Sequence, residues 1–456
     1  MMERTMIDEM MEKARKAQLI FEDYDQSQVD AIVKTVGKTV FDNAEMFARE
    51  AVEETGYGRV DSKIVKQTRA CAGAWHYLHD KKSVGIIEYD EEKKLATYAK
   101  PLGVVCCITP ATNPTSTVGS NGMNVLKARN AMIVAPHPRA KKVSVHCVKL
   151  INEALAKIGA PENLIQIIEE PSMDLTKELM SKVDVVVATG GAGMIKSAYS
   201  SGKPSFGVGQ GNVQVIVADD FSDYDKLAVT LVNGRSYDNG MPCTGEQALH
   251  YPKSAEKEIL AAFEAAGGYR IPDDKVDALA GFLFNEKGAI DAGHVGKTAK
   301  EIAEAIGVDV PDNTLVLLFA NQGVGPGHIL CREKLCPVTQ LFPYDDFKQA
   351  VEDARTNLLW EGAGHTAVIF TYDDKKAAHC AERLPVGRLV VNQNGGGASG
   401  GNFTNGLAPT MSLGCGSWGN NSISDNLTYR HLMNTTKLAY PLENGGLPPF
   451  DVIWAE

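Results

Sequence analysis

One cysteine in this chain stands apart from most of the others. Cys243 lies in "YDNGMPCTGEQ" (237–247), framed by Asp, Asn, Gly and Pro, whereas most of the nine cysteines sit among apolar neighbours. In an apolar setting a thiol behaves as a small hydrophobe. A polar, helix-breaking loop leaves three readings for Cys243: a structural thiol, a metal ligand or a nucleophile. A metal ligand needs partners, and none lies at ligand spacing. A nucleophile needs a partly open thiol in surroundings that favour thiolate or help to deprotonate it.

Two further stretches carry residue types suited to binding phosphate. In "VVVATGGAGMIKSAY" (185–199) an apolar strand ends in Thr189, Gly190 and Gly191 before a helix starts. That is either a plain strand-to-helix turn or a seat for a pyrophosphate on backbone amides. Its position at the carboxyl end of a strand is where ligands bind in open α/β sheets. In "APHPRAKK" (135–142), Arg139, Lys141 and Lys142 are either a solvated helix start or contacts for a phosphorylated ligand. The literal G-x-G-x-x-G matches at 395–400 and 414–419 do not follow a first strand, so they lack the context of a dinucleotide fingerprint.

The elements that must hold these residues follow from hydrophobic period. Leu19, Ile20, Val29, Ile32, Val33, Val36 and Val40 give the first ~55 residues a helical rhythm. A short alternating pair, 84–89 and 95–99, flanks the charged turn "DEEKK" and predicts a projecting hairpin. Near-continuous apolar strands at 103–108, 131–136, 164–169, 183–189 and 213–218 alternate with helices at 140–157 and 174–182. A second set at 314–320, 337–342, 366–372 and 388–393 alternates with helices at 254–266, 297–306, 345–358 and 375–383. Buried parallel strands between helices predict an α/β fold of two doubly wound sheets in series.

Composition sets the partner class. The net charge is −11, which argues against nucleic acid or an anionic membrane surface as partner. No apolar run approaches the ~20 residues of a bilayer span, and the amino terminus lacks the apolar block of a signal peptide. The cysteines form no C-x-x-C pair, so reduced thiols and a cytoplasmic setting are expected, without a structural metal.

Taken in order, "ITPATNPT" (108–115), "RNAMIVAPHPRAKK" (129–142), "GAPENLIQ" (159–166), "ATGGAGMIKSAYSSGKP" (188–204), "GVGQGNVQ" (207–214), "YDNGMPCTGEQ", "EKLCPV" (333–338), "EGAGHTA" (361–367) and "LGCGSWGNNSIS" (413–424) make the chain resemble the aldehyde dehydrogenase superfamily almost end to end. It is most similar to the CoA-acylating branch: acylating succinate-semialdehyde and sulfoacetaldehyde dehydrogenases, and the aldehyde half of bifunctional aldehyde–alcohol dehydrogenases. The resemblance implies that Cys243 is the nucleophile and that Asn113, with the cysteine's own N–H, receives the aldehyde oxygen. It implies that His365 lies near the reacting sulfur, as a proton acceptor or in a structural role. It places the nicotinamide cofactor, NAD or NADP, on Thr109, Pro110, Thr189, Gly190 and Gly191, with Glu333 and Pro337 on the nicotinamide side, while His137 and Arg139 are expected to meet the adenosine phosphates of CoA or of NADP.

Hydrolytic relatives carry a glutamate in "E-L-G-G-K" that activates water; here the matching stretch is "GVGQGN" and Gly207 takes its place. Without that base the acceptor implied is the thiol of coenzyme A, in a reversible oxidation of a short aldehyde to acyl-CoA. The resemblance favours an aldehyde with an anionic tail, succinate semialdehyde or sulfoacetaldehyde, with Arg69 and Thr244 as candidate tail contacts. Acetaldehyde, a hydrolytic enzyme and a phosphate-dependent semialdehyde reductase are the alternatives on this scaffold. Residues 1–222 are expected to bind the cofactor and CoA, and 223–422 to carry Cys243. The hairpin 84–99 and the segment 423–456 are expected to join copies of the chain into a homodimer or a dimer of dimers.

Overall fold

Strands with apolar residues on both faces need cover on both faces, and the fold supplies it twice. The structure is a computed structural model that describes residues 5–443 and 445–455. Four helices open the chain: α1 (Met6–Glu22), α2 (Gln26–Asp42), α3 (Ala44–Thr55) and α4 (Val60–Leu78). Thr5 and Asp25 start the first two through capping boxes. Val29, Ile32, Val33, Val36 and Val40 all face the core from α2. Leu19 and Ile20 are exposed, because the buried stripe of α1 runs through Ile7, Ala14, Ala17, Gln18 and Phe21 and passes them by.

The hairpin forms as β1 (Ile86–Asp90) and β2 (Leu95–Pro101), paired antiparallel. Next come β3 (Val104–Thr109), β4 (Ala131–Pro136), β5 (Ile165–Ile167), β6 (Val185–Thr189) and β7 (Ser205–Val208), a parallel sheet in the order β5-β4-β3-β6-β7. Alternation sorts its side chains. Val105, Cys107 and Val134 pack toward α2, α5 (Pro114–Lys127) and α6 (Lys141–Lys157). Val104, Cys106 and Ile133 pack with Ile7 and Ala14 of α1 on the other face. Adjacent Cys106 and Cys107 thus point to opposite faces, each as core filling.

The second sheet comprises β8 (Val213–Val217), β9 (Glu246–Pro252), β10 (Gly268–Arg270), β11 (Val316–Ala320), β12 (Val338–Tyr344), β13 (Gly364–Phe370) and β14 (Val386–Val391). All seven are parallel, in the order β10-β11-β12-β9-β8-β13-β14. The run 213–218, grouped by its pattern with the first sheet, is an interior strand of the second, β8, between β9 and β13. The change of sheet therefore falls in the short stretch after Val208, ahead of residue 222. Strand pairing decides membership, and a strand buried on both faces does not reveal its neighbours.

After the second sheet the chain returns to the first. Leu427, Tyr429 and Leu432 are buried in the first unit's core, and β15 (Met433–Ala439) pairs antiparallel with β2. Among the described residues no helix is long and apolar enough to cross a membrane, and no group of acidic, His and Cys side chains could hold a metal ion.

Candidate active site

The loop that delivers Cys243 is shaped by its own residue types. After the helix Tyr224–Ser236, Asp238, Asn239 and Gly240 take φ of 48°, 53° and 70°. Left-handed backbone costs an ordinary side chain roughly 1–2 kcal/mol per residue, and Asp, Asn and Gly are the types that bear it best. This bend returns the chain to the amino end of β9 with Cys243 three residues before the strand. The loop before β8 closes on it from the other side. A Cβ at Gly211 would stand 1.8 Å from the Cys243 carbonyl oxygen, so only glycine fits there.

Of the nine cysteines, Cys243 is the one that is not fully buried. Its Sγ lies 3.2 Å from Nε2 of His365, whose Nδ1 lies 3.1 Å from the Thr366 hydroxyl. Burial pushes the Cys243 thiol up to about 12, with the Glu333 carboxylate and Cys415 adding to it; its own backbone N–H and Arg388 act the other way. Burial, reinforced by the Arg388 cation, pushes His365 down to about 3. Both shifts disfavour a thiolate–imidazolium pair. The resting pair is a neutral thiol beside a neutral imidazole.

The remaining residues of this site enter from neighbouring loops. His365 opens β13, Gly211 precedes β8, Cys243 precedes β9 and Glu333 with Pro337 precedes β12; these four strands are adjacent in the sheet. The second sheet thus presents its amino edge, opposite to the edge where open α/β sheets usually bind ligands. Oε1 of Glu333 accepts the Gly211 N–H at 3.1 Å, and burial, aided by the Glu361 carboxylate, raises its acid to about 8. Pro337 packs where Gly240 leaves room for it.

Asn113, at the start of α5, is tied to the same loop by two lysines of α4. Lys66 Nζ donates to Asn113 Oδ1 and, at 2.6 Å, to Asp238 Oδ2. Lys63 Nζ donates to the Thr112 carbonyl at 3.0 Å and to Asp238 at 3.3 Å. Lys66, Asp238 and Tyr199 (below) are the residues the sequence reading missed. A lysine in an amphipathic helix and a tyrosine before a loop carry no motif.

The first sheet supplies a separate crevice. Strand order reverses between β3 and β6, and Thr109 and Pro110 end one strand where Thr189, Gly190 and Gly191 end the other. The hydroxyls of Thr109 and Thr189 are buried without a hydrogen-bond partner among the described residues. A Cβ at Gly191 would meet open space. Orphaned hydroxyls and a clear backbone at a topological switch point fit a dinucleotide phosphate. His137 joins the same edge, its N–H donating to the Thr109 carbonyl at 3.1 Å. Arg139 donates to the Tyr57 hydroxyl and lies over its ring, while Lys141 pairs with Glu170. Glu54 accepts the N–H groups of Lys142 and Val143, so the α6 start already holds a carboxylate.

At Gly207, which by the sequence resemblance stands where hydrolytic relatives carry glutamate, a side chain would be crowded. A Cβ there would meet Tyr199 Cε2 at 3.0 Å and Ile195 Cγ2 at 3.1 Å, and the Gly207 N–H donates to the Tyr199 hydroxyl at 2.9 Å. Arg69 is exposed on α4, one turn beyond Lys66, with no hydrogen bond or ion pair among the described residues. Thr244 is buried with its hydroxyl turned toward the Gly396 carbonyl at 3.5 Å.

The pattern of the aldehyde dehydrogenase family matches residues 1–287. A succinate-semialdehyde dehydrogenase (acetylating) from Clostridium kluyveri is 48% identical over 98% of this chain and 98% of its own length. A sulfoacetaldehyde dehydrogenase (acylating) from Bilophila wadsworthia is 38% identical over 96% of this chain and 95% of its own. The crystal structure of an acetylating aldehyde dehydrogenase from Geobacillus thermoglucosidasius superimposes with a TM-score of 0.93 at 35% identity, covering 97% of this chain and 98% of that one.

Proposed function

Because the chain belongs to the aldehyde dehydrogenase family, in its CoA-acylating branch that works with NAD(P) and CoA, we propose that Cys243 carries the acyl group from an aldehyde to the CoA thiol. The observation that carries this reading is the 3.2 Å contact between Cys243 Sγ and His365 Nε2. As the sulfur adds to the carbonyl carbon, Nε2 takes its proton; the carbonyl oxygen gathers charge and is met by Asn113 and the Cys243 N–H. Each such donor is worth about 3 kcal/mol in the transition state. Thr109, Thr189, Gly190 and Gly191 hold the cofactor's phosphates, and Glu333 stands on the nicotinamide side. A bound nicotinamide supplies the hydride acceptor, so the carbon on Cys243 reaches the thioester level.

The CoA thiol then attacks that thioester. His365, having released the Cys243 proton to solvent after hydride transfer, takes the CoA proton. The S–C bond to Cys243 breaks, and that proton passes to the departing sulfur to restore the Cys243 thiol. Water competes poorly, because Gly207 offers no base and Tyr199 and Ile195 crowd the place of one. Exchange between two thioesters lies close to balance, so the same groups reduce acyl-CoA in the opposite direction.

For the substrate the reading is succinate semialdehyde, supported by the name of the Clostridium relative and by the unpaired Arg69 on α4. The β1–β2–β15 sheet is read as the surface where copies of the chain join, its tail exposing Tyr440, Leu447, Phe450 and Trp454.

The test is an aldehyde panel with and without CoA, followed by NAD(P)H absorbance. Cys243→Ala should abolish turnover, and His365→Gln should lower kcat on the order of 10²-fold or more. Arg69→Gln should raise KM for succinate semialdehyde about tenfold and leave acetaldehyde unchanged. Free acid formed at full rate without CoA would overturn the proposal.

A further inference from the structure

The donor that meets the aldehyde oxygen is a primary amide, and an amide has two ends of nearly equal shape. Only its nitrogen can stabilise an oxyanion; turned by half a rotation it would present an acceptor and repel one. Something must fix which end faces the reacting carbon. For Asn113 that is Lys66. Its ammonium, with three donors and no acceptor, contacts Oδ1, and the Lys66 side chain is only 10% exposed. Among the described residues the Nδ2 end of Asn113 makes no hydrogen bond, which leaves it for an incoming oxygen.

Lys66 is itself pinned. Asp238, 0% exposed in its side chain, accepts from Lys66 at 2.6 Å, from Lys63 at 3.3 Å and from the Arg59 backbone N–H at 2.8 Å. Asp238 stands five residues before Cys243, in the left-handed bend that aims the nucleophile. One ammonium therefore ties the loop of the nucleophile to the amide of the oxyanion donor, across two units built on different sheets. The Tyr237 ring, with its centroid 5.7 Å from Nζ, flanks the ammonium.

We infer that Lys66, held by Asp238, is the positioning residue of the oxyanion site: it selects the amide orientation of Asn113 and polarises that amide toward the substrate oxygen. The inference rests on Asn113 being the oxyanion donor, as proposed above. Lys66 has no hydrogen bond to the Cys243 sulfur among the described residues, and its action on the reacting oxygen runs through Asn113. The step it serves is the attack: the S–C bond forms, the carbonyl π pair moves onto oxygen, and the Cys243 proton passes to His365.

A double-mutant cycle separates this from a general structural role. The variants are Asn113→Ala, Lys66→Met and the pair, with Lys66→Arg as the conservative exchange. Acylation of Cys243 is followed without cofactor, from the release of 4-nitrophenolate by 4-nitrophenyl acetate. CoA-dependent NAD(P)+ reduction is followed in parallel with the best aldehyde of the panel. Asn113→Ala should slow acylation about 100-fold. Lys66→Met should slow it at least about tenfold with half-saturation within about twofold, Lys66→Arg should restore most of the rate, and the double variant should be no slower than Asn113→Ala.

Losses that multiply in the double variant, or a Lys66→Met enzyme changed only in KM, would overturn the inference. Asn113→Ala slow with Lys66→Met normal would sink the inference and leave the oxyanion reading standing. Asn113→Ala at full speed would sink both. Asp238 keeps Lys63 and the Arg59 N–H in the Lys66 variants, so its buried charge stays paired. Should Lys66→Met not fold, Lys66→Gln occupies the same corner of the cycle, with the same outcomes.

Discussion

At the scale of single residues, a thiol pushed up beside an imidazole pushed down sets the resting protonation of Cys243 and His365. A thiolate poised by an imidazolium would react with iodoacetamide at a rate that levels off near neutral pH. The neutral pair described here should give alkylation that keeps rising across pH 7 to 10. A plateau below pH 8 in that profile would contradict it. Cys243 was legible in the sequence because Asp, Asn, Gly and Pro are poor company for a core thiol. Its partner was legible only through resemblance: His365 lies 122 positions away, and nothing local marks a histidine at the start of an apolar strand. Lys66 was not legible at all, because an amphipathic helix presents a lysine on its polar side for many reasons.

At the scale of elements, the site depends on how closely the loop before β8 lies on the Cys243 loop. Gly211→Ala would set a methyl against the Cys243 carbonyl and break the Gly211–Glu333 hydrogen bond by moving the loop. The expected outcome is a loss of at least about 100-fold in CoA-dependent turnover, since a displacement near 1 Å costs that much. A variant within a few-fold of the parent would show that the loop yields without cost. The strands were legible as apolar runs, and their helices as periodic ones. The membership of β8 was not, because both of its faces are buried and its partners β9 and β13 follow it in sequence by tens to well over a hundred residues.

At the scale of the whole molecule, buried titrating groups set the acid limit of stability. His250 and His365 have ordinary values of 6.5 and are held at about 3, chiefly by burial. Unfolded, each binds a proton below 6.5 that the folded chain refuses, so their contribution is lost as pH falls from 6.5 toward 3. Glu246 and Glu333 have ordinary values of 4.5 and are raised by burial to about 7 and about 8. Their contribution is fully present below 4.5 and is lost as pH rises through 7 to 8. The two pairs oppose each other between 4.5 and 6.5, and below 4.5 the histidines act without that offset. The melting temperature should therefore stay level from pH 6.5 to 4.5 and fall below it. Calorimetry across pH 3.5 to 7 checks this, and a steady decline starting at 6.5 would refute it.

The aromatic wall at Tyr199 has a bearing on any attempt to turn this catalyst into a producer of free carboxylic acids. A glutamate installed at position 207 would press its Cβ on Tyr199 and Ile195, which must yield by a few tenths of an ångström to seat it. Relieving that contact and supplying the carboxylate act on the same spot, so the two changes should not add independently. Libraries that vary positions 195, 199 and 207 together would sample both at once.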